Sequence, residues 1–262
     1  MTARTRWIAA FTLLAFVAAV LLPPMRQPLD YHDFADHRHA YGIENFLDVV
    51  SNLGFLFAGV MGFVIVFAGR TRFEFASERW PFAVFFAGVL LTALGSGYYH
   101  LAPDNETLFW DRLPMTIAFM GLVASQIVDR ISVRAGLLVL LPAVLLGLAS
   151  VIYWRATERM GAGNVMPYAV LQGYSVFVLL LLAWMSPSRY TRGNDIFWVF
   201  GWYLLSKLLE TFDRQVLAIN HIVSGHTLKH LAAAAAAFVV CYMLLRRTLK
   251  PAELSGSRTP NV

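Results

Sequence analysis

Charge is scarce in this chain. Of its 262 residues only 14% are Asp, Glu, Lys or Arg, where a soluble domain carries about 25%, so an ordinary water-soluble globule is excluded. Cysteine is scarcer still. Cys241 stands alone inside an apolar run, so no disulfide can close within the chain and the redox compartment leaves no mark. Short-period repeats are missing, and no stretch has the composition of a soluble domain. The formal net charge of +5 does not gather into a patch. Its basic residues are dispersed over short connections, which argues for membrane-topology signals and against a nucleic-acid partner.

What the chain has instead is hydrophobicity: 58% apolar residues and a mean hydropathy of +0.59. A bilayer core takes roughly 20 apolar residues per helix. Such runs fall at 7–23, 45–68, 81–101, 108–128, 135–153, 166–185, 196–216 and 226–245, predicting an all-α polytopic membrane protein. The first run follows Arg4 and Arg6 and ends at Pro23-Pro24 without a small-residue cleavage site. It reads as a retained helix within a 1–25 segment rather than a removed signal peptide. Arg4, Arg6, Arg70, Arg72, Arg79, Arg130, Arg134, Arg189, Arg192, Arg246, Arg247, Lys250 and Arg258 all fall on one side of these spans. Loops of the other side hold only Arg26, Arg38, Arg155 and Arg159. That asymmetry puts both termini in the cytoplasm. The polar residues 248–262 read as a disordered cytoplasmic tail.

The awkward residues then gather. Ser96 and His100 lie four apart near the end of the third run, on one helix face. A Pro103-Asp104-Asn105 turn reverses the chain, and Asp111 follows about one turn into the fourth run. His226 and His230, also four apart, open the last run. By this topology all five reach the non-cytoplasmic face at similar depth. Ionisable groups at membrane depth are costly unless paired, wetted or bound. Three neutral imidazoles suit a zinc ion, whose catalytic form keeps its fourth position for water. Asp111 is placed to hold that water, and Ser96 to bond the same water or a developing oxyanion. Against this, a lone His-x-x-x-His at a helix end also describes interfacial histidines, and Asp111 has Arg112 as a neighbour to pair with. His32, His37, His39 and His221 lie in loops and read as solvated.

The pieces "NFLDVVSN" (45–52), "GSGYYH" (95–100), "WDRLPM" (110–115) and "HTLKH" (226–230) resemble the alkaline ceramidase family. That family sits within the seven-helix membrane hydrolases that include the adiponectin and progestin receptors. The likeness covers residues 30–247. It implies a seven-helix hydrolase core over 26–247, with the first helix as an addition. It also implies zinc on His100, His226 and His230, with Asp111 and Ser96 as catalytic groups. The implied reaction is hydrolysis of the amide of ceramide or another N-acyl lipid to a fatty acid and a sphingoid-type amine. The membrane lipid is the only partner implied: no nucleic acid and no obligatory protein. The family's acidic N-terminal loop, which binds calcium in eukaryotic members, is matched by "DFADHR" and its sequel, offering Asp33, Asp36, Glu44 and Asn45. Arg38, however, stands where an oxygen donor is expected, and a solvated loop with Arg38 paired to an aspartate is the other reading. A bacterial inner-membrane protein is the implied setting.

Supporting polar groups complete the picture. Asp48, Ser51 and Asn52 form a polar stripe on an apolar helix and must face other helices, for interhelical hydrogen bonds first and substrate second. Glu210 stands four before Arg214 and predicts a helical ion pair; the alternative for Glu210 and Asp213 is to orient a ligand histidine. Lys229 is expected to snorkel to the interface. Trp7, Tyr98, Tyr99, Trp110 and Trp154 read as an aromatic belt. The 232–237 alanine run reads as a close-packing surface, with room beneath the histidines for an acyl chain. Two other readings share these residues: a receptor-like protein with a structural zinc, and an ester-lipid hydrolase.

Overall fold

The structure, a computed structural model, describes residues 3–251. Its helices are α1 (Ala3–Leu21), α2 (Phe46–Val50), α3 (Leu53–Phe67), α4 (Arg79–Leu101), α5 (Asn105–Arg130), α6 (Val133–Arg159), α7 (Met166–Met185), α8 (Ile196–Thr211), α9 (Asp213–Asn220) and α10 (Gly225–Arg246). No strand occurs among the described residues, only isolated bridges such as Tyr190–Leu249. Five segments are long and apolar enough to cross a membrane: Phe46–Phe67, Ala76–Leu101, Val133–Arg159, Met166–Met185 and Gly225–Arg246. The chain is built as an integral membrane protein. Polar side chains inside α5 and the 16-residue length of α8 keep those two below that measure.

The bundle is organised around α5, whose polar residues turn inward. Arg112, Thr116, Ser125, Gln126, Asp129 and Arg130 are all buried there. Its start is fixed locally: the Asp104 carboxylate accepts from the Thr107 backbone N–H at 2.7 Å, and the Thr107 hydroxyl receives the Asp104 N–H at 3.1 Å. This reciprocal cap satisfies donors that every helix start leaves open. α4 packs along α5 at very short range. A Cβ placed on Gly95 would collide with the Trp110 carbonyl, so only glycine lets the backbone beside Ser96 approach the backbone beside Asp111. α1 lies against α7, through Phe11–Phe177 rings 4.7 Å apart and a 2.7 Å Thr12–Tyr174 hydroxyl contact.

Three expectations change. The second run is not one continuous helix. The Ser51 hydroxyl donates to the Asp48 carbonyl at 3.0 Å, and the Asn52 amide to the same carbonyl at 2.7 Å. Side chains thus take an acceptor the helix ladder would use, and the helix opens at that turn. The seventh run stops at Thr211 instead of continuing to 216; α9 starts anew at Asp213. The 248–262 tail is ordered at its start: Thr191 N–H donates to the Thr248 carbonyl at 2.8 Å and Lys250 N–H to the Arg189 carbonyl at 2.9 Å. Residues 252–262, including Arg258, lie outside the described residues.

Candidate metal centre

Two helices deliver the imidazoles. His100 comes from the end of α4, His226 and His230 from the first turns of α10. The Ser224 hydroxyl caps α10 by accepting from Thr227 N–H at 2.9 Å. The open N–H of His226 donates to Asp213 Oδ1 at 2.7 Å, and the other Asp213 oxygen accepts from Ala35 N–H at 2.8 Å. Gly225 lets this happen, because a Cβ there would strike the Leu209 carbonyl and crowd Asp213. On α4, the His100 carbonyl is capped by the Asn45 amide at 3.0 Å.

The imidazoles of His100, His226 and His230 are buried and offer ligand nitrogens that all lie within 4.8 Å of one another. Nε2 of His100 and Nε2 of His226 are 3.4 Å apart. Tetrahedral ligation at zinc–nitrogen distances of roughly 2.0–2.1 Å separates ligand nitrogens by about 3.4 Å. The three side chains therefore fit a metal ion. Neutral nitrogen donors match zinc and its neighbours rather than calcium or magnesium. Among the described residues His100 Nδ1 is buried with no hydrogen-bond partner, an uncompensated cost that leaves that side of the ring held by packing. Phe34 provides that packing, with its ring 4.8 Å from His100 and 4.3 Å from His226.

The stripe on the second run faces the triad. Ser51 Oγ lies 2.8 Å from His230 Nδ1. Asp48 is fully buried and accepts at Oδ1 from the Thr227 hydroxyl at 2.6 Å, while its Oδ2 has no partner. Asn52 stays within its own helix segment. Ser96 is buried one turn from His100 and lies beside Asp111. Asp111, Ser96 and His230 line a single cavity of about 450 Å³, walled mainly by apolar residues of α4, α5, α7, α8 and α10. Ala233, Ala236 and Ala237 line it, while Ala234 packs against Gly54. The alanine run thus both packs against a neighbouring helix and lines the cavity.

Several polar residues lie elsewhere than expected. Asp111 makes no ion pair with Arg112; Arg112 donates to Gln27 Oε1 at 2.6 Å and stacks on Trp154, Tyr168 and Tyr31. Glu210 does not pair with Arg214, because the helix ends between them. It binds Lys207 and Lys229, each at 2.7 Å, while Arg214 reaches Asp33 at 2.6 Å. Lys229 consequently lines the cavity and does not snorkel. Neither Glu210 nor Asp213 bonds an imidazole; Asp213 acts on the His226 backbone. Tyr99 and Trp154 are buried and leave the belt, with Tyr99 Oη 2.9 Å from His32 Nδ1. His32 is not a solvated loop histidine; Asn105 Oδ1 lies 2.9 Å from its other nitrogen.

The calcium set does not converge. Asp36 is chelated by Arg38 at 2.7 and 2.5 Å, Asp33 is taken by Arg214, Asn45 caps His100, and Glu44 is exposed. Burial pushes the Asp36 carboxyl upward, but the Arg38 hydrogen bonds and charge outweigh this and hold it below the usual range. Among the described residues the histidine triad is the one such cluster of metal-binding side chains. Lys229, Lys207, Tyr31, Gln27 and Arg112 are cavity residues that sequence spacing did not reveal; a lysine between two ligand histidines was the one visible signal. No protein-family model matches the chain, and no curated protein matches it.

Proposed function

We propose that this chain is a zinc-dependent intramembrane hydrolase that cleaves the amide of ceramide or a related N-acyl lipid, releasing a fatty acid and a sphingoid-type amine. The observation that carries the reading is the convergence of three buried imidazoles, one of which, His230, lines an apolar cavity together with Asp111 and Ser96. In this reading seven helices form the hydrolase core and α1 is an added span. The protein sits in a bacterial inner membrane with both termini cytoplasmic and the zinc toward the other face, and it needs no protein partner.

His100, His226 and His230 would hold the zinc ion, which supplies Lewis-acid polarisation of a carbonyl and activation of water near neutral pH. The chain's own groups do the rest. Asp111 takes a proton from the attacking water and returns it to the amine nitrogen as the C–N bond breaks. Ser96, beside Asp111 in the same cavity, offers its hydroxyl to the attacking water or to the developing oxyanion. The apolar wall seats an acyl chain and keeps bulk water away from the reacting carbonyl.

The test is zinc content of the purified full chain together with fatty-acid release from N-palmitoylsphingosine. Stoichiometric zinc with release is expected. Stoichiometric zinc without release from any N-acyl or ester lipid favours the receptor-like reading, and release from esters alone favours the ester hydrolase.

A further inference from the structure

The cavity beside the histidines carries an unbalanced charge. Arg112, Lys207 and Lys229 line it against only Asp111 and Glu210, one formal positive charge in excess within a membrane protein. Lys207 and Lys229 share Glu210. Among the described residues no carboxylate forms an ion pair with Arg112.

Arg112 is 6% exposed, and its one hydrogen bond goes to a neutral acceptor, Gln27 Oε1. Its Nη1 is buried without a partner. Aromatic rings hold the guanidinium, with Trp154, Tyr168 and Tyr31 centroids 4.5, 5.0 and 5.5 Å from Cζ. A guanidinium fixed this way loses little freedom on meeting an anion, and its fork suits carboxylate or phosphate. Burying a cation without a counter-charge is costly, and that cost disappears when a ligand brings the counter-charge.

We propose that Arg112 anchors an anionic group of the lipid that enters this cavity, so that among N-acyl lipids those with a carboxylate or phosphate on the amine side are preferred over neutral ones such as ceramide. The inference rests on the hydrolase reading for the word substrate, but not for the anion site. Arg112 follows Asp111 directly in α5, so the anion and the scissile amide lie at the same end of the cavity. Carboxylate and phosphate share this chemistry, and the probes below separate them.

Binding to the full metal-loaded chain in uncharged detergent is measured with single-chain probes that carry no amide or carboxylic ester: hexadecyloxyacetate, hexadecylphosphonate and neutral 2-hexadecyloxyethanol. The anionic probes are expected to bind at least about tenfold more tightly than the alcohol, as one charge-assisted hydrogen bond allows. Arg112→Gln should abolish that preference while leaving the alcohol's affinity unchanged, and Arg112→Lys should restore part of it. Whichever anion binds more tightly names the headgroup. Equal binding of all three probes by the wild type overturns the proposal. So does a preference that survives Arg112→Gln, which would place the anion on the metal. If Arg112→Gln also loses the alcohol, the residue is structural and the proposal fails. As the second arm, N-palmitoylglycine should be cleaved in preference to N-palmitoylethanolamine, with the advantage in KM and removed by Arg112→Gln; a preference untouched by that change overturns the substrate assignment. Absence of any cleavage, with charge-dependent binding intact, sinks the hydrolase reading and upholds the anion site.

Discussion

Ser51, in the turn between α2 and α3, meets His230 of α10, with Ser51 Oγ 2.8 Å from His230 Nδ1 and 3.0 Å from the Asp48 carbonyl. A serine hydroxyl has one proton. Given to the Asp48 carbonyl, that proton leaves the oxygen to accept from Nδ1–H, and the Nε2 lone pair of His230 is free for the triad. The hydrogen bond thus chooses the tautomer that can bind a metal. Ser51→Ala should lower zinc affinity by about 10–100-fold, the usual effect of removing such a partner. Competition with a chromophoric chelator measures it, and unchanged affinity would remove Ser51 from the site.

His230→Ala and Asp111→Asn should separate binding from chemistry. The first loses stoichiometric zinc, because a ligand is gone. The second keeps zinc and fold, but turnover falls by about 10²–10⁴-fold, the scale of a lost general base. Metal analysis and lipid-hydrolysis rates on the same preparations decide it. Full zinc and full turnover in His230→Ala would refute the assignment outright.

At Gly95 the prediction concerns packing. A side chain there strikes the Trp110 carbonyl, so Gly95→Val must push α4 away from α5. We expect a loss of about 1–3 kcal/mol, typical of overpacking, read as a lower melting temperature in detergent. At Gly97 an added methyl would meet nothing within 4 Å, and Gly97→Ala should leave stability and zinc binding intact.

Asp213→Ala removes acceptors from both Ala35 and His226. The expected cost is about 1–2 kcal/mol, as for a lost helix cap, together with weaker zinc binding because the first turn of α10 frays. A variant with reduced stability but native zinc affinity would show that the ligand histidines do not depend on this cap.

The Asp36–Arg38 pair gives a pH signature. With the folded Asp36 carboxyl held below its ordinary value, its contribution is present above the unfolded value of about 4. It is lost as pH falls through the lower folded value. Wild type should therefore lose its stability advantage over Asp36→Asn only below about pH 4, in melting curves taken across that range.

The helix pattern was legible because lipid demands long apolar runs, and the histidines were legible because residues four apart share a face. Pairings between helices were not. Glu210 pointed in sequence to Arg214, but the break at Phe212 puts the two on different axes, and Glu210 takes Lys229 from another helix instead. Lys229 looked like a snorkelling residue because nothing in its own segment carries a counter-charge. His32 looked solvated because its partners, Tyr99 and Asn105, lie 67 and 73 positions away.

Asp213 also dictates an order of assembly. Ala35 leaves the ribosome 178 positions before the carboxylate that will hold it, and His226 follows that carboxylate by 13. The early loop therefore waits, unlatched, through nearly the whole of synthesis. A nascent chain halted before Asp213 has neither the latch nor two of the three imidazoles, so the triad cannot assemble until His230 has been made.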